Sequence, residues 1–228
     1  MDTQKYAEEF EYSIIGAPDY GYVEVKIPSN GTLKVEASAM ATMDTNIEMK
    51  TKMKGGFGRL FTGESLFINE FTAKNTSGTI GIAPSSPGDI KHVYLANDEV
   101  IYLQNSAFVA AGMGVNIETK FQGLVKGFFS GEGLFLVKCS GNGDLFFNSY
   151  GSIIPIEVTN GYVVDTGNVV AFTNGLDYHV KSVGGMKSLF FSGEGLVAEF
   201  RGSGKVWIQT KKAQPLAFWA RPFRPSGK

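Results

Sequence analysis

The sequence predicts an all-β fold made of three tandem β-sandwich-like repeats in a pseudo-threefold arrangement. Glycine accounts for 29 of the 228 residues, phenylalanine for 18, and aromatic residues for 13%. This composition suits tight turns and pleated strand faces. No window carries the sustained i, i+3, i+4, i+7 apolar stripe of an amphipathic helix. In addition, one short block of residues occurs three times.

The repeated block contains an aromatic residue, a small hydroxyl residue, a Gly-Glu pair, a small residue and an apolar run. Its copies occupy residues 61–67, 129–135 and 191–197. The Gly-Glu pairs begin 68 and 62 residues apart, at Gly63, Gly131 and Gly193. This order of residues is typical of a strand, a tight turn and a second strand. Self-similarity at a nearly steady period indicates stacked copies of one supersecondary unit.

Each copy shows the same order of features: a turn-linked hairpin, the block, and a glycine-containing turn into a final strand. The predicted hairpin turns lie at Asn30-Gly31, Asn97-Asp98 and Asn160-Gly161, between alternating apolar runs. We place the copies at about 22–89, 90–151 and 152–212, within a single triplicated domain that spans residues 1–212. Chance similarity among hairpins is the alternative, but it does not account for three features in one order.

Stacked β units of this kind leave strand edges open. Exposed edges are templates for pairing with another chain, and a defined homo-oligomer is one way to close them. The sequence therefore predicts self-association.

Composition also limits the classes of partner and compartment. A formal net charge of −1 argues against bulk binding of polyanions such as nucleic acid. Cys139 is the single cysteine, which favours a reducing compartment. The acidic N-terminus lacks the apolar region of a signal peptide, and no run reaches the roughly 18 to 20 apolar residues of a spanning helix. We expect a cytoplasmic protein, at most peripheral to the membrane.

The residues that most often carry catalysis do not form a recognisable constellation. His92 and His179 fall in different copies, without the spacing of a zinc or hydrolase site, and we expect both to be ordinary strand residues. Cys139 follows an apolar run, and we expect a half-buried structural thiol rather than a reactive one. The sequence predicts no enzyme, no metal site and no cofactor.

The three glutamates of the repeated block form a candidate interaction set. Glu64, Glu132 and Glu194 would lie at one level of a pseudo-threefold body, and an oligomer would multiply them into a ring of carboxylates. Such a ring could bind a cation or a basic partner. The alternative, which we favour, is that each glutamate only occupies an exposed turn, because no Asp or Asn companions stand at calcium-loop spacing.

The C-terminal tail, residues 213–228, is basic and aromatic. Together with the two lysines before it, the tail supplies the remaining candidate interaction residues: Lys211, Lys212, Phe218, Trp219, Arg221 and Arg224. Interleaved aromatic and cationic side chains suit an anionic membrane surface or a single-stranded nucleic acid. The alternative is a tail that packs its aromatic residues against its own or a neighbouring body.

Several motifs together resemble one known family. They include Pro87-Gly88-Asp89-Ile90, Val164-Asp165-Thr166-Gly167 and Val206-Trp207-Ile208-Gln209-Thr210, in addition to the Gly-Glu blocks. Over about residues 10–212 the chain resembles the bacterial branch of the Aim-type family (altered inheritance of mitochondria, member twenty-four). The resemblance implies a triplicated fold of the double-stranded β-helix type, like that of the tryptophan RNA-binding attenuation protein. It also implies homotrimers, but no catalytic or ligand residues.

The function that these observations favour is a non-enzymatic, ring-like homo-oligomeric scaffold that engages a protein or an anionic membrane surface. A small-ligand or ion-binding module that uses clefts between repeats is the alternative. RNA binding is less favoured because the repeats lack a recurring Lys or Arg that could follow phosphates.

Overall fold

The structure is a computed structural model, and it describes residues 9–53, 67–121, 135–182 and 196–212, together with Pro215, Trp219, Ala220 and Phe223 in the tail. The described strands are β1 Glu11–Ile15, β2 Tyr22–Ile27, β3 Thr32–Glu36, β4 Met40–Met43, β5 Ile47–Met53, β6 Phe67–Ala73, β7 Gly78–Ile82, β8 Ile90–Leu95, β9 Val100–Gln104, β10 Phe108–Gly112, β11 Val115–Phe121, β12 Phe135–Gly141, β13 Gly143–Asn148, β14 Ile153–Val158, β15 Tyr162–Asp165, β16 Val169–Thr173, β17 Leu176–Ser182, β18 Leu196–Gly202 and β19 Gly204–Gln209. Short 3-10 turns at Asn105–Ala107 and Thr166–Asn168 precede β10 and β16. The all-β prediction is confirmed.

The strands form four antiparallel sheets. The first has the order β1-β2-β7-β4 and the second β5-β6-β3-β10-β13-β8. The third has the order β11-β12-β9-β16-β19-β14, and the fourth is β15-β18-β17. Each six-stranded sheet therefore combines strands from two successive parts of the chain.

Three successive sets of six strands, beginning at β2, β8 and β14, share one pairing pattern. In each set the sixth strand pairs with the first and the third, and the fifth pairs with the second and the fourth. A register shift falls at the same place in the third strand of each set, between Met40 and Thr42, Phe108 and Ala110, and Val169 and Ala171. These pairings define which positions correspond between the sets.

Two junctions join the sets. At each junction, the second strand of one set pairs with the third strand of the next, so that β3 pairs with β10 and β9 with β16. The registers correspond as well, because Lys34 opposes Ala111 at the first junction and Tyr102 opposes Phe172 at the second.

The predicted hairpins at the three Asn-containing turns are wrong, although strands flank each turn. The strands on either side lie in different sheets: β2 and β3, β8 and β9, and β14 and β15. The turn at Asn30, where φ is 59°, carries the chain from β2 in the first sheet to β3 in the second. Apolar alternation determines which residues face the core, but it does not determine which strand becomes the partner.

Burial follows the strand periodicity. In β2, Val23, Val25 and Ile27 are buried and the residues between them are exposed, as in a strand with one packed face. β10 and β13 are instead buried along their whole length, because both of their faces are packed. The largest fully buried side chains are phenylalanines: Phe71, Phe108, Phe146, Phe147, Phe172 and Phe200. Truncation of such a residue to alanine typically costs about 3 to 5 kcal/mol.

Candidate functional site

Of the strands that end the four described sheets, two have counterparts that pair with a strand of another set, and we call the edges of these two strands the open edges. β4 lies at the edge of the first sheet and β15 at the edge of the fourth. By the shared pairing pattern, β4 is a third strand like β10 and β16, and β15 is a second strand like β3 and β9. The strands at both open edges thus correspond to strands that pair across the junctions inside the chain.

Side-chain exposure differs sharply between the junctions and the open edges. At the junctions, Ala111 and Phe172 are buried. Their counterpart on β4, Met43, is 42% exposed, and on β15 Tyr162 is 45% and Val163 52% exposed. These apolar side chains are the kind of surface that a partner strand covers.

A cleft of about 320 Å³ opens beside the second junction. Tyr102 and Phe172 line it from the third sheet, and Leu176 and Tyr178 line it from β17. The Tyr102 and Phe172 rings stack with centroids 5.1 Å apart, and Tyr178 meets Phe172 edge-on at 5.2 Å. Aromatic walls of this kind bind the apolar part of a small ligand.

Polar groups stand at the same cleft. Asn174, Asp177 and His179 line it, and all three are exposed. Burial raises the pKa of the Tyr178 phenol above its ordinary value, and neighbouring Tyr102 raises it further. Tyr178 therefore stays protonated at neutral pH.

The corresponding position at the first junction has a different chemistry. Lys34 stands where Tyr102 stands, and it is buried. Its ammonium donates to the carbonyl oxygens of Gly112 at 3.4 Å, Met113 at 3.0 Å and Val115 at 2.7 Å. A buried ammonium needs such acceptors, because an unsatisfied charge away from water is strongly unfavourable.

A buried polar chain ties β1 to the second sheet. His92 Nε2 donates to Asp144 Oδ1 at 2.7 Å, and the Tyr12 hydroxyl bonds to His92 Nδ1 at 2.8 Å. The backbone N–H of Phe10 donates to the other Asp144 oxygen at 2.8 Å. The acid is completely buried. We expected His92 to be an ordinary strand residue, and the sequence separation of these groups gave no signal for this chain of bonds.

The remaining candidates from the sequence have structural surroundings. Cys139 is completely buried rather than half-buried, because it packs in a core cluster with residues that include Ile101, Val115 and Val137, and burial raises the pKa of its thiol to about 12. His179 is exposed at the cleft. In the described ranges, no three His, Cys, Asp or Glu side chains form a group that could hold a metal ion.

The block glutamates Glu64, Glu132 and Glu194 lie outside the described residues. The block residues that the structure does describe begin β6, β12 and β18, each of which pairs with the strand that precedes the block.

Lys211 and Lys212, the two candidate residues just before the tail, form hydrogen bonds with the β domain. The Lys212 ammonium donates to Asp165 Oδ2 at 2.6 Å, and the Lys211 backbone N–H donates to the Tyr150 carbonyl oxygen at 3.2 Å. Trp219 is 67% exposed and contacts the exposed ring of Phe223, with centroids 5.3 Å apart. The placement of Phe218, Arg221 and Arg224 lies outside the described residues.

A family model described as Mitochondrial biogenesis AIM24 matches residues 12–211. The chain belongs to this family. An uncharacterized protein of Streptococcus pyogenes serotype M6 is 28% identical, over 94% of this chain and 91% of that protein. A solved crystal structure of a protein from Streptococcus pyogenes resembles this chain with a TM-score of 0.79 and 26% identity, over 94% of this chain and 100% of the other. The solved structure thus shares the fold of this chain along nearly its whole length.

In the ranges that the structure describes, no helix is long and apolar enough to cross a membrane.

Proposed function

We propose that this AIM24 family protein is a homo-oligomeric, ring-like scaffold made of triplicated β units, in which β4 of one copy pairs with β15 of the next. The observation that carries the proposal is the correspondence between the two open edges and the two internal junctions. Such a protein acts by presenting surfaces to a partner rather than by catalysis.

The shared pairing pattern supports a unit that is repeated three times. Each set of six strands has the same partners and the same register shift. The chain then carries one unmatched third strand, β4, and one unmatched second strand, β15. A second copy supplies the missing partner for each of them, which is a heterologous contact that generates a ring when its rotation closes.

The internal junctions give the register of the proposed contact. Ala110 opposes Val35 and Ala171 opposes Leu103 within the chain. The corresponding residues across two copies are Thr42 and Val164, and the next pair along is Met43 and Val163. Pairing would join β1-β2-β7-β4 of one copy to β15-β18-β17 of its neighbour in a single sheet. The resemblance to homotrimers favours a ring of three copies.

Charge substitutions at the proposed contact test this arrangement. Met43→Glu combined with Val163→Glu places two carboxylates directly opposite each other, and like charges in that position destabilise strand pairing. We expect the wild-type protein to give an oligomer mass in native mass spectrometry, and the double variant to give mainly monomer at the same concentration. The pair Met43→Glu and Val163→Lys restores opposite charges and should recover the oligomer.

Ile154→Glu is the matched control, because Ile154 is exposed to a similar extent on β14, a first strand of its set that takes no part in the proposed contact between β4 and β15. It should leave the mass unchanged. A monomeric wild-type protein, or a double variant that keeps the oligomer, would show that the proposed contact is absent.

We extend the proposal to an anionic membrane surface as the partner of the tail. The supporting observation is the exposure of Trp219 and Phe223, which are aromatic side chains among basic residues. Full-length protein should sediment with vesicles that contain phosphatidylserine at low salt, and a chain that ends at Lys212 should remain in solution. Equal sedimentation of the two chains would exclude this role for the tail.

A further inference from the structure

The cleft beside the second junction has a filled counterpart at the first junction. Tyr102 opposes Phe172 in the same register in which Lys34 opposes Ala111. The turn that follows β16 also has the length of the turn that follows β10, so Thr173, Asn174 and Leu176 correspond to Gly112, Met113 and Val115. The side chains differ between the two places, because Lys34, Ala111 and Ile117 at the first junction correspond to Tyr102, Phe172 and Tyr178 at the second.

At the first junction, the protein places its own primary ammonium against the turn. Lys34 Nζ donates to the three carbonyl oxygens of Gly112, Met113 and Val115, at 3.4, 3.0 and 2.7 Å. Three acceptors around one ammonium match the three donors that the group carries. Lys34 lies opposite Ala111 on the neighbouring strand, and a lysine stem commonly packs on apolar surface while its ammonium reaches polar partners.

At the second junction, Tyr102 supplies a phenol in place of the ammonium. The hydrogen bonds at this turn that involve described side chains run from Asn174 Nδ2 to the Asp98 carbonyl oxygen at 3.3 Å and from the Lys205 N–H to Thr173 Oγ1 at 3.0 Å. Neither bond uses the carbonyl oxygens that correspond to the acceptors of Lys34. The cleft that remains has a volume of about 320 Å³.

The lining of this cleft suits a cation with an aliphatic stem. Tyr102, Phe172 and Tyr178 provide aromatic walls, and aromatic faces attract cations. Asp177 places a carboxylate at the rim, where the first junction has the neutral Asn116. The first junction has Glu118 where the cleft has His179, so each place carries one carboxylate on this face of the strand.

We propose that this cleft binds a primary alkylammonium group, which takes the place that the Lys34 ammonium occupies at the first junction. Free diamines carry this group, and so does the lysine side chain of a peptide. The proposal does not depend on ring assembly, because Tyr102, Phe172 and Tyr178 belong to the same copy.

Isothermal titration calorimetry on the full chain tests the proposal with two probes, 1,5-diaminopentane and Nα-acetyl-lysine methylamide. We expect saturable binding of at least one probe. Binding of the diamine alone would indicate a free amine as the ligand, and binding of the lysine derivative would indicate a peptide side chain. Pentan-1-ol, which has the same stem without the charge, should give no saturable heat.

Tyr102→Lys is the decisive variant, because it installs the residue of the first junction. The ammonium of the introduced lysine should bind the carbonyl oxygens of the turn and so compete with the ammonium of the probe. Because the probe then loses its charged hydrogen bonds, its affinity should fall by about tenfold or more. Tyr102→Phe keeps the aromatic ring and removes only the hydroxyl. Its Kd for the probe should stay within about twofold of the wild-type value, well short of the tenfold change that corresponds to about 1.4 kcal/mol. A thermal unfolding curve shows whether each variant is folded.

Asp177→Asn provides a second test that does not depend on a buried position, because Asp177 is exposed. Loss of the rim carboxylate should weaken binding by about threefold, and the effect should shrink at high salt. The proposal is overturned if neither amine binds, if pentan-1-ol binds as tightly as the amines, or if folded Tyr102→Lys protein binds like wild type.

Discussion

Two corresponding pairs of strands, β8–β13 and β14–β19, have the same pairing but differ in the charged residues that they carry and in how deeply these residues are buried. Asp144 on β13 corresponds to Lys205 on β19. Asp144 is completely buried and bonds to His92 and to the Phe10 N–H. Lys205 pairs with Glu157 at 2.9 Å, and these two side chains are 38% and 70% exposed.

The difference arises from what covers each strand pair. Phe10, just before β1, and Tyr12, within β1, lie over β8 and β13. Phe10 is buried there, and the Tyr12 ring meets Phe146 edge-on at 5.2 Å. Glu9 also reaches this region, and its carboxylate occupies the space that a side chain on Gly112 would need. A covered charge must be fully satisfied, whereas an exposed ion pair contributes little to stability.

The most severe test of this comparison is Asp144→Ala. The substitution leaves the Phe10 N–H and the His92 ring without their buried acceptor, and breaking such a buried network should cost about 3 to 5 kcal/mol of unfolding free energy. Urea denaturation monitored by circular dichroism measures the change. A loss below about 1 kcal/mol, as for an exposed pair, would remove the distinction between the two strand pairs.

A second test uses the corresponding positions Glu36 and Gln104. Burial raises the pKa of Glu36 from 4.5 to about 7. The folded state therefore binds this proton more tightly than the unfolded state, and the stability that the protonated acid provides is lost as the pH rises from about 4.5 to about 7.

Glu36→Gln, which installs the neutral residue found at position 104, should remove this loss. After a discount for partial exposure, we expect the variant to be more stable than wild type by about 1 to 2 kcal/mol at pH 8. The two proteins should be equally stable at pH 4. Thermal unfolding across this pH range measures the difference, and parallel stability curves would contradict the assigned burial.

Tyr12→Phe tests the contribution of the Tyr12 hydroxyl to stability separately from that of its aromatic ring. It removes the 2.8 Å bond to His92 Nδ1 and keeps the aromatic contacts with His92 and Phe146. The expected loss is about 1 kcal/mol, which is typical of one partly buried hydrogen bond. Chemical denaturation measures it, and a loss as large as that of Asp144→Ala would mean that Tyr12, not Asp144, organises the network.

The smallest effect is expected for Glu157→Gln on the uncovered pair of strands. The Lys205 ammonium loses an exposed partner but keeps water and the ring of Trp207, whose centroid lies 5.7 Å away. We expect a loss below about 1 kcal/mol that falls further at high salt. Denaturation at two salt concentrations tests this, and a larger, salt-independent loss would indicate a desolvated pair.

Much of the fold was predictable because local patterns specify strands. Val23, Val25 and Ile27 alternate with charged residues, and this alternation located β2 correctly. The partner of β2 was not predictable, since Asn30-Gly31 is equally compatible with a hairpin and with a crossing between sheets. β2 pairs with β1 and β7, not with β3.

The candidate site was predictable only in outline. The expectation of open strand edges follows from a repeated β unit, but only the pairings identify β4 and β15 as the edge strands whose counterparts pair inside the chain. The contrast between Lys34 and Tyr102 could not be found from spacing, because nothing in either local sequence marks the two positions as equivalent.

The amino-acid sequence alone determined the all-β class, the strand positions and the family, because side-chain periodicity and turn residues act within a few neighbouring positions. Tertiary structure decided which strands pair, which edges stay open, and which of two corresponding clefts encloses its own ammonium. These outcomes depend on contacts between residues such as Phe10 and Asp144, which are distant in the chain and meet only when the sheets pack.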